Sequence, residues 1–258
     1  MTNSNVVKSP YRLDLCTWKD VEEYLIHSKG IILPIGSTEQ HGPTGAIGTD
    51  AMTAEAVALE VGKLSGVLVA PVQSYGMAEH HLGFPGTMSL KPSTLLRVIN
   101  DLLLSLARHG FERVFVINGH GGNIATVKAA CSEAYKTIAS SEDFLQKNFR
   151  CKLKSWFMVP EVFQKSKELY GDKEGQHATP SEISLTLHLQ PTLKSKQSPL
   201  PPPSPVGPIY GHQDFRKRYP DGRMGSDPYL SNSSHGEVLL EKASIALTQD
   251  LKNFLQEP

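Results

Sequence analysis

Three side chains able to bind a metal fall within twelve residues: Glu39, His41 and Asp50, in the stretch GSTEQHGPTGAIGTD from Gly36 to Asp50. A turn rich in glycine and proline needs neither two carboxylates nor an imidazole. Glu39 and His41 stand two residues apart, so in an extended segment they point to the same side. A carboxylate and an imidazole on one side, joined by Asp50, form a donor set for a borderline cation such as Zn²⁺ or Mn²⁺. Asp50 also opens a helical pattern, where its alternative role is that of N-cap.

Two later stretches carry the same kinds of group. In NGHGGN (118–123), His120 is surrounded by glycines that let backbone approach whatever it contacts. Gly121, Gly122 and Asn123 are candidate backbone or amide donors to a substrate. The rival reading is a phosphate cradle at a helix start, giving a metal-free α/β protein that binds a phosphorylated small molecule. The loop lacks Lys and Arg, and its spacing is neither that of the dinucleotide fingerprint nor that of the P-loop. HATPSEISL (177–185) contains His177, a candidate acid/base, and Glu182. Glu182 is either a further carboxylate ligand or the third position of a capping box begun by Thr179, with Pro180 at the first helical position. Between them lies AEHHLGFPG, with Glu79, His80 and His81 beside a turn; His80 is a candidate substrate contact.

The elements that must position these groups follow from periodicity. IILPIG (31–36), VLVAPV (67–72), RVFVIN (113–118) and CKLKSWFMV (151–159) read as short apolar strands. Helical patterns run over TWKDVEEYLIHSKG, DAMTAEAVALEVGKLSG, KPSTLLRVINDLLLSLARHG, IATVKAACSEAYKTIA, EISLTLHL and EVLLEKASIALTQDLKNFLQ. In the third of these, Leu95, Leu96, Ile99, Leu102, Leu103 and Leu106 form the expected buried face. Strands alternating with amphipathic helices predict an α/β fold, layered around a mostly parallel central sheet. In such sheets a site forms at the carboxyl ends of the strands. The first three strands deliver Glu39, His41 and Asp50, then Glu79, His80 and His81, then His120 to that edge.

The 258 residues suffice for a full core, and their 39% hydrophobic and 20% charged shares are those of a soluble globular chain. Lys plus Arg equals Asp plus Glu, at 26 each, so no net field recruits nucleic acid or an anionic membrane. No apolar run reaches the ~20 residues of a membrane span, and the opening residues contain no secretory h-region. Three scattered cysteines suit a reducing compartment. A cytoplasmic location is expected. Six prolines between Pro199 and Pro208 predict an extended connector, taken as a strap (198–208) on a single domain spanning 1–258. Residues 1–10 read as a loose arm.

Taken in order and spacing, GSTEQHGPTGAIGTD, FPGTMSL, NGHGGN and HATPSEIS resemble the creatininase (creatinine amidohydrolase) family, from about Ile31 to Leu189. The resemblance implies an α/β/α layered domain, assembled as a homohexamer, with two divalent metals per subunit: Zn first, Mn or Fe as alternatives. It implies that Glu39, Asp50 and His120 hold one metal, and that His41 and Asp50 hold the other. Creatininase supplies the last ligand as a glutamate within a His-Tyr-Glu-Asn run, where this chain has Gly121 and Gly122. Relatives of the His-Gly-Gly-Asn form carry a later His-Ala-Gly-Glu-x-Glu motif. HATPSEIS keeps its histidine and its second glutamate, so Glu182 is assigned as the missing ligand. Thr44, where many relatives have histidine, is a second departure expected to alter the pocket. The implied activity is hydrolysis of a C–N bond in a small amide or cyclic amide, a metal-bound hydroxide attacking the carbonyl. His177 would be the proton donor and Glu182 the second catalytic residue. Creatinine itself is the alternative substrate.

Overall fold

The computed structural model describes residues 11–144, 148–193 and 200–258. The N-terminal arm and the first two residues of the expected strap lie outside these. Among the described residues the chain runs α1 (Trp18–His27), β1 (Gly30–Ile35), α2 (Thr49–Ser65), β2 (Leu68–Val69), α3 (Pro92–Arg108), β3 (Arg113–Asn118), α4 (Ile124–Ser140), β4 (Arg150–Ser155), α5 (Pro160–Tyr170), α6 (Pro180–Leu189), α7 (His212–Arg218) and α8 (Ser233–Leu255). No described helix is long and apolar enough to cross a membrane.

The strands form one parallel sheet in the order β2-β1-β3-β4. β1 and β3 are buried along their whole length, which is why they read as unbroken apolar runs. Side chains alternate across the sheet. Ile31, Leu33, Ile35, Val114 and Val116 pack on the α3 and α4 side, against Leu95, Ile99, Leu103 and Val127. Ile32, Phe115 and Ile117 face the other layer, against Val57 and Val61 of α2 and Leu239, Leu247 and Leu251 of α8. The result is the expected α/β/α arrangement.

Local chemistry sets the element ends. Thr17 and Asp20 form a complete capping box on α1, and Gly66 closes α2 in the left-handed conformation. Pro92 begins α3 at its first turn. The buried face of α3 is narrower than its leucines suggest. Leu95, Ile99 and Leu103 are buried, whereas Leu102 is 38% exposed, because the helix contacts the sheet along one stripe only. β2 is also shorter than the apolar run 67–72. Pro71 has no N–H to continue the ladder, and Gln73 then rejoins β1 through the Gly36 N–H and the Pro34 carbonyl. β4 ends at Ser155, and Trp156–Met158 form a 3₁₀ turn. Helices α5 and α7 had no clear sequence signature, being short and largely charged on their outer faces.

The topology places the site. β1 feeds α2 on one face of the sheet, and its neighbour β3 feeds α4 on the other. The connections diverge between β1 and β3, leaving a crevice at their carboxyl ends. Two glycines let the chain close in around it. A Cβ at Gly36 would strike the Ala51 backbone, and one at Gly119 the carbonyl of Asp50. α2 is thereby seated directly on the ends of both strands.

Candidate metal centre

Three clusters of donor atoms converge in this crevice: Glu39 with Asp50 and His120; His41 with His177 and Glu182; and Glu39 with His81 and His177. Each set lies within 4.8 Å, atom to atom. Glu39 is fully buried just past β1, and its Oε2 accepts a hydrogen bond from Ser37 Oγ at 2.7 Å. His120 Nδ1 lies 3.2 Å from Glu39 Oε2 and 3.1 Å from Asp50 Oδ2. His41 Nε2 lies 3.0 Å from Asp50 Oδ1 and 3.8 Å from Glu182 Oε1. Asp50 thus stands between the two clusters. It occupies the first turn of α2, but its side chain makes no cap; Gly48 is the N-cap residue. The N-cap alternative for Asp50 is excluded because its carboxylate turns inward.

The imidazoles are held by their far nitrogens. His41 Nδ1 faces the Glu39 carbonyl at 3.1 Å, His120 Nε2 the Met77 carbonyl at 2.9 Å and His177 Nε2 the Gln40 carbonyl at 2.8 Å. A backbone carbonyl can only accept, so each of these nitrogens carries a proton, which leaves the other nitrogen of each ring as the one that would offer its lone pair to a bound cation. This is the outer support that orients histidine ligands toward a cation. Two buried oxygens that face the cluster, Glu39 Oε1 and Asp50 Oδ2, receive no well-directed hydrogen bond; their nearest polar neighbours are imidazole nitrogens, His81 Nε2 at 3.2 Å and His120 Nδ1 at 3.1 Å. Buried carboxylate oxygens are rarely left so. A divalent cation would satisfy both, and the residues present fit one.

The electrostatics agree. Burial acts to raise the Glu39 carboxyl, but the His120 and His81 imidazoles outweigh it and hold the group well below the usual carboxylate range. Burial acts to lower His41, but Asp50 and Glu182 push it up to about 10. His120 is raised well above its ordinary value: burial opposes, and Glu39 and Asp50 prevail. Burial, with His81 and His41 nearby, keeps His177 well below its usual value. Without a cation, protonated His41 and His120 supply the positive charge that the carboxylates require.

Glu182 closes the capping box and also borders the donor cluster. Its Oε1 accepts the Thr179 N–H at 2.6 Å, completing the capping box of α6, while the carboxylate faces His41. Burial raises it to about 7, with the His41 charge working against that rise. His177 is set by strained backbone: Ala178, beside it, has φ 55°, a left-handed conformation that costs a non-glycine residue about 1 kcal/mol or more.

Other expectations divide. His80 sits in a 3₁₀ turn with its ring 4.1 Å from that of His81, lining a cavity on the imidazole side. Gly121 and Gly122 line that cavity as well. Asn123, expected as a substrate donor, is instead fully buried. Its amide donates to the Gly36 carbonyl and Asn118 Oδ1 and accepts from the Met77 N–H, leaving nothing for a ligand. Thr44 does not line the cavities at the cluster; it borders a separate small one with Ile183 and Leu187. Trp156 is core, its Nε1 donating to Thr53 Oγ1 at 3.2 Å, whereas Phe157 forms cavity wall.

Two residues carried too little sequence signal. His81 was one of a pair in a loop, and only folding shows that it, not His80, meets Glu39 at 3.2 Å. Glu174 follows α5 in a turn with no motif. It lines the cavity over the cluster, accepts a hydrogen bond from Ser181 Oγ through Oε1 and leaves Oε2 buried without a partner.

A parallel α/β/α sheet with acidic and imidazole donors gathered at its switch point defines the class, a layered α/β domain of the creatininase fold. The chain belongs to the creatininase family: the family profile, described as creatinine amidohydrolase, matches residues 14–251. The creatinine amidohydrolase of Pseudomonas putida is 30% identical over 87% of this chain and 90% of its own length. A mycofactocin precursor peptide peptidase of Mycolicibacterium smegmatis is 40% identical over 39% of this chain and 42% of its own. A mutant creatininase of Zn-Zn type superposes with a TM-score of 0.86 at 25% identity, covering 96% of this chain and all of that one. A manganese creatininase superposes at 0.84, with 25% identity and 96% and 100% coverage.

Glu174 yields a pH test. Burial raises its carboxyl from 4.5 to about 7. A raised folded-state pKa means that the folded chain holds the proton more tightly. The stability so gained is complete below pH 4.5 and is lost as pH rises through about 7. Glu174→Gln keeps an acceptor for Ser181 and removes the titration. The melting temperature of wild type relative to this variant is therefore expected to fall between pH 4.5 and 7; a pH-independent difference would refute the assignment.

Proposed function

We propose that this chain hydrolyses a carbon–nitrogen bond in a small amide or cyclic amide, using two divalent cations per subunit. Glu39, Asp50 and His120 would hold one, and His41, Asp50 and Glu182 the other. The observation that carries this reading is the pair of buried, unbonded oxygens, Glu39 Oε1 and Asp50 Oδ2, aimed at imidazole nitrogens oriented from behind. Such cations supply Lewis acidity toward a carbonyl and lower the pKa of water from about 15.7 toward ~7. Zinc is preferred on the mixed carboxylate and imidazole donors, with manganese or iron as alternatives. The phosphate-binding alternative is disfavoured, since Glu39, Asp50 and Glu182 would repel an anion and the loop 118–123 holds no Lys or Arg.

The chain's own residues supply the proton path. His177 presents Nδ1 unprotonated to the cluster because Nε2–H is held by the Gln40 carbonyl. It is thus placed to take a proton from the attacking water and return it to the departing nitrogen. Its lowered pKa fits a base that rests neutral. Gly121 and Gly122 offer backbone at the substrate's edge, and His80 a side-chain contact. Glu182 would act catalytically by fixing the second cation and the charge near His41. The substrate is proposed to differ from creatinine, since Gly121 and Gly122 stand in the run that marks creatininase itself. The reading treats the chain as one domain with a Pro-rich strap, in a cytoplasmic homohexamer. Sedimentation velocity checks the assembly: about six times the 28.3 kDa chain mass is expected, and a monomer would refute it.

Glu39→Ala and His120→Ala should lose bound metal and amide hydrolysis together while retaining helical circular dichroism. The expected fall in activity exceeds about 100-fold, because even outer-shell partners of a metal ligand are worth 10–100-fold. Full metal content with full turnover in either variant would overturn the ligand assignment. Glu182→Gln separates the two roles of Glu182. Glutamine still serves the capping box, so stability should change by less than ~1 kcal/mol, whereas metal measured by elemental analysis should drop toward one equivalent. Two equivalents retained would leave Glu182 as a cap alone.

A further inference from the structure

Two separate cavities border the donor cluster. One, of about 350 Å³, lies over Glu39, Asp50 and Glu182, with Phe157, Met158 and Phe163 as its apolar wall. The other, of about 360 Å³, lies on the imidazole side, walled by His80, His81, Ile209, Phe215 and Met224. Each exceeds the ~300 Å³ at which small-molecule sites begin. Both are lined by the same four residues, His120, Gly121, Gln176 and His177. His177, the proposed proton carrier, therefore stands where they adjoin.

Gly121 decides whether they communicate. A Cβ built there would meet no atom within 4 Å, so the space beside it is open. Its neighbour Gly122 is different: a Cβ there would strike His120 and the Met77 carbonyl, so that glycine serves packing. Gln176, the other shared residue at the surface, is exposed to solvent where the two cavities meet. Each cavity also has a half-open apolar rim, with Phe163 59% exposed on one side and Ile209 47% exposed on the other. Exposed apolar side chains around a polar floor mark a ligand-binding groove.

We propose that the two cavities are the halves of one cleft crossing the cluster, and that the substrate is an open-chain secondary amide with a sizeable apolar group on each side of its C–N bond. This rests on the amide-hydrolase reading above and narrows it. The acyl group occupies one half and the amine substituent the other, with the scissile bond at His177. Water adds across that bond: its oxygen ends in the carboxylate, the C–N bond breaks, and the nitrogen leaves with the returned proton. A compact cyclic amide fills only one half and gains nothing from the other.

The test compares four probes on the metal-loaded, full-length protein: phenylacetamide, N-formylbenzylamine, N-benzylphenylacetamide and creatinine. Product release is followed by chromatography. The two-sided amide is expected to show a kcat/KM at least about tenfold above either one-sided amide, the effect of burying one more aromatic group. Phe163→Ala should reduce the gain from one substituent, and Ile209→Ala the gain from the other. Gly121→Leu, whose side chain enters open space, should erase most of the two-sided advantage while bound metal stays at the wild-type level. One-sided or cyclic amides turned over as fast as the two-sided one would overturn this inference alone. So would Phe163→Ala and Ile209→Ala acting on the same substituent. Hydrolysis of none of the four by metal-loaded protein would overturn the inference together with the amide-hydrolase reading.

Discussion

A carboxylate placed at the end of a fully buried strand is the constraint on which this structure turns. Glu39 has no exposed surface, and leaving such a charge unpaired would cost several kcal/mol. Its neighbourhood is arranged against that cost. His81 and His120 approach to 3.2 Å and His177 to 3.8 Å, and Ser37 donates from the same strand end. Asp50 repeats the problem in the first turn of α2 and shares His120 with Glu39. Two acids so close, each with an oxygen whose only polar neighbours are imidazole nitrogens, form an arrangement that positive charge must complete.

Two of the imidazoles, His81 and His177, are braced by a single residue. Gln40 lies between Glu39 and His41 in sequence and behind both in space. Its Nε2 lies 2.9 Å from His81 Nδ1 and 3.1 Å from the Gly222 carbonyl, its Oε1 receives the Gly42 N–H, and its backbone carbonyl accepts from His177. The loop supplying Gly222 is held by Arg223, which is fully buried. Arg223 pairs with Asp221 at 2.7 Å and donates to the Pro201 carbonyl at 2.6 Å. Ser226, three residues on, donates to the His177 carbonyl. The Pro-rich segment is therefore connected through one guanidinium to the backbone that carries His177. A polyproline-like run makes no internal hydrogen bonds, so its carbonyls are free to receive it.

Legibility varied with the range of the interaction. Thr17 with Asp20, and Thr179 with Glu182, are capping boxes closed within four residues, and both formed as their sequences indicate. β1, β3 and α2 were legible because full burial or a helical stripe leaves a periodic trace. β2 was overestimated because apolar residues 67–72 share their composition with a strand while Pro71 breaks its ladder. Asn123 looked as available to a ligand as Gly121, and His80 as near to Glu39 as His81. Which of them reaches the cleft or the carboxylate depends on packing between loops more than forty residues apart, and no local pattern carries that. Glu174 was invisible for the same reason: its partner is Ser181, and its environment comes from α5 and α6 folding over the strand ends.

The sequence by itself determined the alternation of strand and helix, the edge at which the polar residues emerge, and the family, because short-range periodicity and the spacing of Glu39, His41 and Asp50 survive without coordinates. Only the tertiary structure decided that Asp50 is not a cap, that Glu182 closes a capping box while facing His41, that Asn123 braces the loops, and that two cavities adjoin at Gly121. Those outcomes depend on distances between segments brought together by sheet topology, and a side chain's direction within a crevice is fixed by neighbours that the linear order does not name.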